Sequence, residues 1–200
     1  MTRYDVINKI ISSYKFTRYL EIGIEEGNCF RQVNCAEKTG VDPNCALDFI
    51  IKLTSDNFFL NYTGPQFDVI FIDGLHHADQ VIKDIENALC CLNPIGYIVV
   101  HDTLPYRKIH QKVPRSSSVW TGDVWKAIHY LRTKKTDLEI FTLDCDYGCT
   151  VIRKGKQDLL SYEGEPLTWE YFLRNKLEFL NIKRPYYLDE YLSAKINKTF

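Results

Sequence analysis

Apolar positions recur along the chain with two periods, and the switches between them outline alternating helices and strands. Val6, Ile7, Ile10 and Ile11 lie at helical spacing and predict a helical lead-in over the first sixteen residues. Tyr19-Leu20-Glu21-Ile22 reads as a short buried strand, Gly23 to Gly27 as a turn, and residues from about 28 to 37 as a helix. Gly40-Val41-Asp42-Pro43 reads as the end of a second strand, because proline cannot donate to the ladder. Phe67 to Asp73 is apolar on both faces, as expected for a parallel strand covered on each side. Val81, Ile82, Ile85, Ala88, Leu89 and Leu92 then share one helical face, closed by Asn93-Pro94. Gly96 to Val100 is a further buried strand ending in His101-Asp102, and a polar, basic loop occupies 103–121. Asp123 to Arg132 is helical. Two late strands, near 138–143 and 149–153, flank a Tyr147-Gly148 turn, and residues 168–180 and 188–197 form further helices.

Strands alternating with helices predict an α/β fold with a mostly parallel sheet, helices on both faces and an antiparallel C-terminal hairpin. A length of 200 residues predicts one domain: lead-in 1–16, core 17–155, helical tail 156–200. Hydrophobic residues are 45% and charged residues 26%, an ordinary globular balance that excludes disorder as a description of the whole. The net charge of -1 gives no electrostatic reason to expect nucleic acid as a partner. No apolar run approaches the roughly 20 residues of a membrane span, and the charged start does not read as a signal peptide. The expectation is a soluble, cytoplasmic protein. Seven cysteines, odd in number and without a C-x-x-C pair, read as buried reduced thiols.

Ligands of an open parallel sheet bind at the carboxyl ends of its strands. Those ends carry Glu21 with Gly23 and Gly27, then Asp42, then Asp73-Gly74-Leu75-His76-His77, then His101-Asp102-Thr103. Acidic groups at four strand ends along one edge are poorly explained by core packing. The glycine turn lacks the G-x-G-x-x-G fingerprint, and Glu25 and Glu26 inside it repel a pyrophosphate. They suit a phosphate-free, cationic nucleoside cofactor, and Asp42, 19 positions after Gly23, suits a ribose diol. That combination points to S-adenosyl-L-methionine. A nicotinamide dehydrogenase is disfavoured by the same turn.

The segment Tyr19-Leu-Glu-Ile-Gly23 resembles the first motif of class I S-adenosylmethionine-dependent methyltransferases. Four further segments are similar to a branch of small O-methyltransferases: Thr54 to Phe59, Phe67 to His76, Asn93 to Asp102, and Gly122-Asp-Val-Trp-Lys126. The resemblance spans about residues 17–155 and implies a Rossmann-like class I methyltransferase fold. It implies that Glu21, Gly23 and the backbone to Gly27 line the methionine part of the cofactor. Asp42 then holds the ribose, Ser55 and Asp56 approach the adenine, and Asp73 borders the cofactor. It also implies one divalent metal, Mg²⁺ or Mn²⁺, on Asp73 and Asp102. Catechol and macrolide-sugar members carry Asp or Asn after the second ligand. This chain has Thr103, which leaves a coordination position to His76, Thr103, water or substrate.

Methyl transfer to an alcohol needs a base or a metal to make the hydroxyl nucleophilic. His76 lies three residues after Asp73, where catechol-type relatives place a catalytic lysine, and an imidazole there serves as the base. His101 is expected to point away from the site, and Asp144 and Asp146 to serve the hairpin turn. The acceptor pocket is expected from the chain start, the loop and the tail, with His77, Thr103, Trp120 and Trp125 on the acceptor. Aromatic, hydroxyl and basic side chains in the loop suit a sugar or glycan acceptor, and relatives by resemblance include rhamnose-type glycan O-methyltransferases. A catechol or small phenol acceptor, and a non-catalytic cofactor-binding module, are the alternatives. The tyrosine- and phenylalanine-rich tail packs on the sheet, with covering the acceptor or a homodimer contact as its other uses.

Overall fold

The computed structural model describes residues 1–199; Phe200, the last residue of the tail, lies outside them. The elements in chain order are α1 (Arg3–Tyr14), β1 (Arg18–Ile22), α2 (Asn28–Gln32), β2 (Glu37–Val41), α3 (Ser55–Asn61), β3 (Phe67–Ile72) and α4 (Ala78–Cys91). They continue with β4 (Leu92–Val100), α5 (Trp125–Lys134), β5 (Leu138–Leu143), β6 (Cys149–Lys154), α6 (Trp169–Phe179), β7 (Ile182–Lys183) and α7 (Tyr187–Thr199). The strands form one sheet in the order β2-β1-β3-β4-β6-β5-β7. β2, β1, β3 and β4 are parallel neighbours, and β6 runs antiparallel between β4 and β5.

Alternation along the strands sorts the core onto two faces. Leu20, Ile70, Ile72 and Ile98 meet Val81, Ile85, Ile128 and Phe172 on one side. Tyr19, Val69, Phe71 and Val99 meet Ile7, Ile10, Phe30 and Leu188 on the other. α1 starts sharply because Thr2 and Asp5 form a reciprocal capping box.

The elements differ from those the sequence predicts at α2, β4 and β7. α2 stops at Gln32 because Val33 turns extended. β4 begins at Leu92, ahead of the Asn93-Pro94 pair expected only to close the helix. The pairing with β3 jumps from Phe67↔Leu92 to Val69↔Tyr97, so residues 93–96 bulge out of the ladder, and Asn93 Nδ2 donates to Asp68 Oδ1 at 3.0 Å to hold them. β7, only two residues long, carries no sequence signal and pairs with β5.

The connections leaving β1 and β3 diverge: β1 leads outward to β2, and β3 leads the other way to β4. A crevice between their carboxyl ends follows from this reversal. Gly23 follows β1 and Asp73 follows β3, side by side. At Gly23 φ is 86°, and a Cβ there would stand 2.2 Å from the Asp73 carbonyl oxygen, so only glycine closes this corner.

Candidate active site

The crevice floor is built from two strand ends and the loop that follows each. Asp73 follows β3, and the chain then turns through His76 with φ 57°. Asp102 follows β4 with φ 59°. A left-handed backbone at non-glycine residues costs roughly 1–2 kcal/mol each, and such strain clusters at functional sites. Here both twists aim ring or carboxylate atoms at one point. Among the described residues, Asp73, His76 and Asp102 form a group of three side chains of metal-ligating type, with their potential ligand atoms within 4.8 Å of one another.

His76 is held on both ring nitrogens. Nδ1 donates to the Trp120 carbonyl at 3.1 Å and lies 3.3 Å from Asp102 Oδ2, while Nε2 donates to Asp73 Oδ1 at 3.1 Å. Its ring stacks on Trp120 with centroids 5.2 Å apart. Burial opposes the protonated ring, but Asp73, Asp102 and the Trp120 carbonyl outweigh it and raise the His76 pKa. Burial likewise disfavours charge on Asp73. The His101 and His76 rings beside it nevertheless hold its carboxyl well below the usual carboxylate range.

His101 belongs to this cluster, contrary to the expectation that it points away. Its Nδ1 is 3.2 Å from Asp73 Oδ1 and 3.3 Å from Asp102 Oδ1, and its Nε2 donates to the Asp146 carbonyl at 2.7 Å. The alternation argument fails because Asp102 leaves the extended conformation, which lets both neighbours face one centre. Asp146 is also more than a turn residue. Its carboxylate accepts from Arg3 Nε at 3.0 Å, Nη2 at 3.2 Å and the backbone N at 2.8 Å. Arg3, to the sequence only a lead-in residue, also donates from Nη1 to Asp73 Oδ2 at 2.7 Å. No local signal marks it, because its partners lie 70 and 143 positions away.

The turn after β1 departs from the expected cofactor contacts at two residues. Glu21 is 1% exposed and accepts from the Tyr19 hydroxyl, so it does not line the crevice. Burial pushes its carboxyl up to about 8. Asp42 is spent on the backbone: Oδ2 accepts from Ile24 N at 2.9 Å and Glu25 N at 3.0 Å, and Oδ1 from Asn44 N at 2.7 Å and Cys45 N at 3.0 Å. A carboxylate has about four acceptor sites, and here they are filled by the turn that Asp42 shapes. Ser55 and Asp56 open α3, where Ser55 Oγ and Asp56 Oδ1 accept from Gln80 Nε2 at 3.2 and 2.9 Å.

The loop between β4 and α5 returns to the crevice. Gly122, with φ 56°, lies against the His76 carbonyl, where a Cβ would come within 1.8 Å. Asp123 Oδ1 accepts from Ala78 N at 2.9 Å and so caps α4, leaving the His77 side chain free of a capping role and edge-on to Trp120. Two expected acceptor contacts are core residues instead. Trp125 is fully buried against Phe172 and Phe179, and Thr103 is fully buried with its hydroxyl accepting from Thr150 at 2.9 Å.

A family model described as a methyltransferase domain matches residues 20–103, which hold the glycine turn and both strand ends. Solved structures of the same architecture carry cofactor-related ligands. TomG, an O-methyltransferase from Streptomyces achromogenes involved in tomaymycin synthesis, is 14% identical with a TM-score of 0.57 over 76% of this chain and 79% of its own. The O-methyltransferase from Bacillus cereus is 13% identical with a TM-score of 0.54 over 76% and 80%. The Podospora anserina methyltransferase PaMTH1 is 15% identical with a TM-score of 0.53 over 78% of each chain. The fold is that of class I S-adenosylmethionine-dependent methyltransferases. No curated protein matches the sequence significantly. The methyltransferase domain match and this fold together support S-adenosylmethionine-dependent methyl transfer. Among the described residues no helix is long and apolar enough to cross a membrane.

The donors present fit a divalent cation. The Asp73 and Asp102 carboxylates offer the oxygen donors that Mg²⁺ or Mn²⁺ takes, with the His76 ring beside them. The turn after β1 fits a cationic cofactor, since Glu25 and Glu26 are exposed in it.

Proposed function

We propose that this chain transfers a methyl group from S-adenosyl-L-methionine to a hydroxyl of a sugar or glycan. The observation that carries the reading is the Asp73–His76–Asp102 cluster at the strand reversal, beside a glycine turn whose acidic residues disfavour phosphate. The acceptor oxygen attacks the sulfonium methyl in line; the new C–O bond forms as the C–S bond breaks, and S-adenosylhomocysteine leaves. The hydroxyl proton goes to His76 Nε2. The Trp120 carbonyl fixes the Nδ1–H tautomer, and Asp73 stabilises the imidazolium that results. Asp73 Oδ1 and the Trp120 carbonyl, one at each ring nitrogen, are placed to accept from the ring once it holds that proton. Asp73 and Asp102 are the residues that would hold a divalent metal, which would supply Lewis acidity to lower the pKa of the acceptor hydroxyl.

In this reading the cofactor rests on the backbone of the turn from Gly23 to Gly27, with Asp42 contributing through the turn it folds and Ser55 and Asp56 on the adenine side. His77 and Trp120 border the acceptor. A polyhydroxyl acceptor is favoured over a flat phenol because His76 lies between the Asp73 and Asp102 carboxylates, Asp73 in turn contacts the His101 ring and the Arg3 guanidinium, and Trp120 stacks on the His76 ring as an aromatic platform.

Calorimetric titration with S-adenosylhomocysteine, with and without Mn²⁺, followed by a screen of free sugars and catechols for S-adenosylhomocysteine release, tests this function. Release with sugars supports it. Preference for catechols moves the acceptor class to phenols. Binding without turnover on any acceptor supports the cofactor-binding module, and no binding removes the methyltransferase reading.

A further inference from the structure

We infer that Arg3 is a positioning residue of this site, fixing the plane of the Asp73 carboxylate against His76. The inference rests on the reading of His76 as the acceptor base. Asp73 Oδ1 is shared by His76 Nε2 at 3.1 Å and His101 Nδ1 at 3.2 Å, and Oδ2 is bound by Arg3 Nη1 at 2.7 Å. The torsion that turns an aspartate carboxylate is broad and soft. With both histidines on one oxygen, the guanidinium on the other converts a hinged contact into a two-point hold.

Arg3 is itself oriented from three directions. Nε and Nη2 form a fork on the two oxygens of Asp146, at 3.0 and 3.2 Å, a geometry matched to the planar guanidinium. Its backbone N donates to Asp146 Oδ2 at 2.8 Å, and the Thr2–Asp5 capping box sets the backbone on either side. One side chain thereby joins the start of α1, the β5–β6 turn and the end of β3. A lysine ammonium is a point charge without that fork.

The competing account is that Arg3 only ties α1 to the β5–β6 turn through Asp146. Ring-nitrogen spectra of protein carrying isotope-labelled histidine, with His76 assigned by His76→Gln, separate the two. In Arg3→Met the His76 and His101 signals shift while the distant His129 signal stays, and guanidinium ion at a sub-denaturing concentration moves them back. Unchanged His76 and His101 signals, with faster amide exchange confined to α1 and the β5–β6 turn, overturn the inference. Where Arg3→Met does not fold, Arg3→Lys takes its place: shifted His76 and His101 signals support the inference and unchanged ones overturn it. Once an acceptor is in hand, Arg3→Met loses about 10-fold or more in kcat with KM for S-adenosylmethionine unchanged. Titration of the same samples with S-adenosylhomocysteine keeps the readings apart: a wild type that does not bind removes methyl transfer, and the histidine signals still decide the role of Arg3.

Discussion

His76 must be neutral to take a proton, yet Asp73 and the Trp120 carbonyl favour its protonated form. Its pKa is raised above the ordinary 6.5. The active fraction therefore grows as pH rises through that raised value, and kcat measured against pH has its ascending limb above 6.5 rather than below it. His76→Ala removes the limb and lowers kcat by about 10²-fold or more while S-adenosylhomocysteine affinity holds. Near-normal turnover in that variant takes His76 out of the chemistry. Asp42 makes a different demand. Asp42→Asn points an amide NH₂ at two backbone N–H groups that had an acceptor, leaving them unsatisfied at about 1–3 kcal/mol. The expected result is a lower Tm together with weaker cofactor binding. A variant with unchanged Tm and weakened binding shows that Asp42 meets the cofactor directly. Glu21 carries a pH signature of its own. Its folded pKa of about 8 lies above its ordinary 4.5, so the stability tied to its protonated form is complete below 4.5 and lost as pH rises through about 8. Glu21→Gln flattens the alkaline side of a Tm-against-pH curve.

At the scale of elements, α4 depends on a residue from another segment. His77 occupies the N-cap without a side-chain bond, and Asp123 Oδ1 supplies the missing acceptor to Ala78 N. Asp123→Ala removes a cap worth about 1 kcal/mol and unfastens the loop that brings Trp120 onto His76. Thermal unfolding reads the first effect, and loss of acceptor turnover with cofactor binding retained reads the second. Unaltered Tm removes the capping account. The same elements show what a sequence makes legible. β3 and the apolar face of α4 are plain because burial on both sides of a strand and one side of a helix leaves a periodic record. Asp73, His76 and Asp102 are plain because each follows such a run directly. His101 defeats the alternation rule because a single left-handed residue, Asp102, reverses the side on which its neighbours emerge. Arg3 and Asp146 are invisible as site residues because their contacts depend on how α1 and the hairpin fold over the sheet. Trp125 looks like a binding aromatic, yet α6, far along the chain, buries it.

For the molecule as a whole, the question is what secures the segment after β6 to the sheet. His129 on α5 is central to that dock: its Nε2 lies 2.9 Å from the Tyr171 hydroxyl of α6, and the edges of Tyr162, Tyr171 and Phe179 surround the ring. Burial lowers its pKa to about 4 from the ordinary 6.5. A folded pKa below the unfolded one means that the unfolded chain takes the proton first, so stability is complete above 6.5 and is lost as pH falls toward about 4. His76 and His101 do not blur this window. Their folded pKa values are raised, so their contribution is fully present below 6.5 and is lost only as pH climbs past it. Asp73 and Asp146 are held below the ordinary 3.8 and titrate on the acid side of the window. Glu21, whose contribution grows as pH falls from about 8 to 4.5, opposes His129 over this window, so the curve is read in a Glu21→Gln background, where a fall in Tm between 6.5 and about 4 reports on His129. His129→Leu keeps the apolar packing, gives up the hydroxyl partner of Tyr171, and makes the curve flatter across that range even where the variant is less stable at neutral pH. Amide exchange locates the effect: in the wild type at the acid end, α6 and the chain leading into it exchange before β1, β3 and β4 do, and in His129→Leu that order no longer depends on pH. A Glu21→Gln curve already flat over the window, or early exchange in the central strands, places the acid sensitivity elsewhere than at the α5–α6 contact.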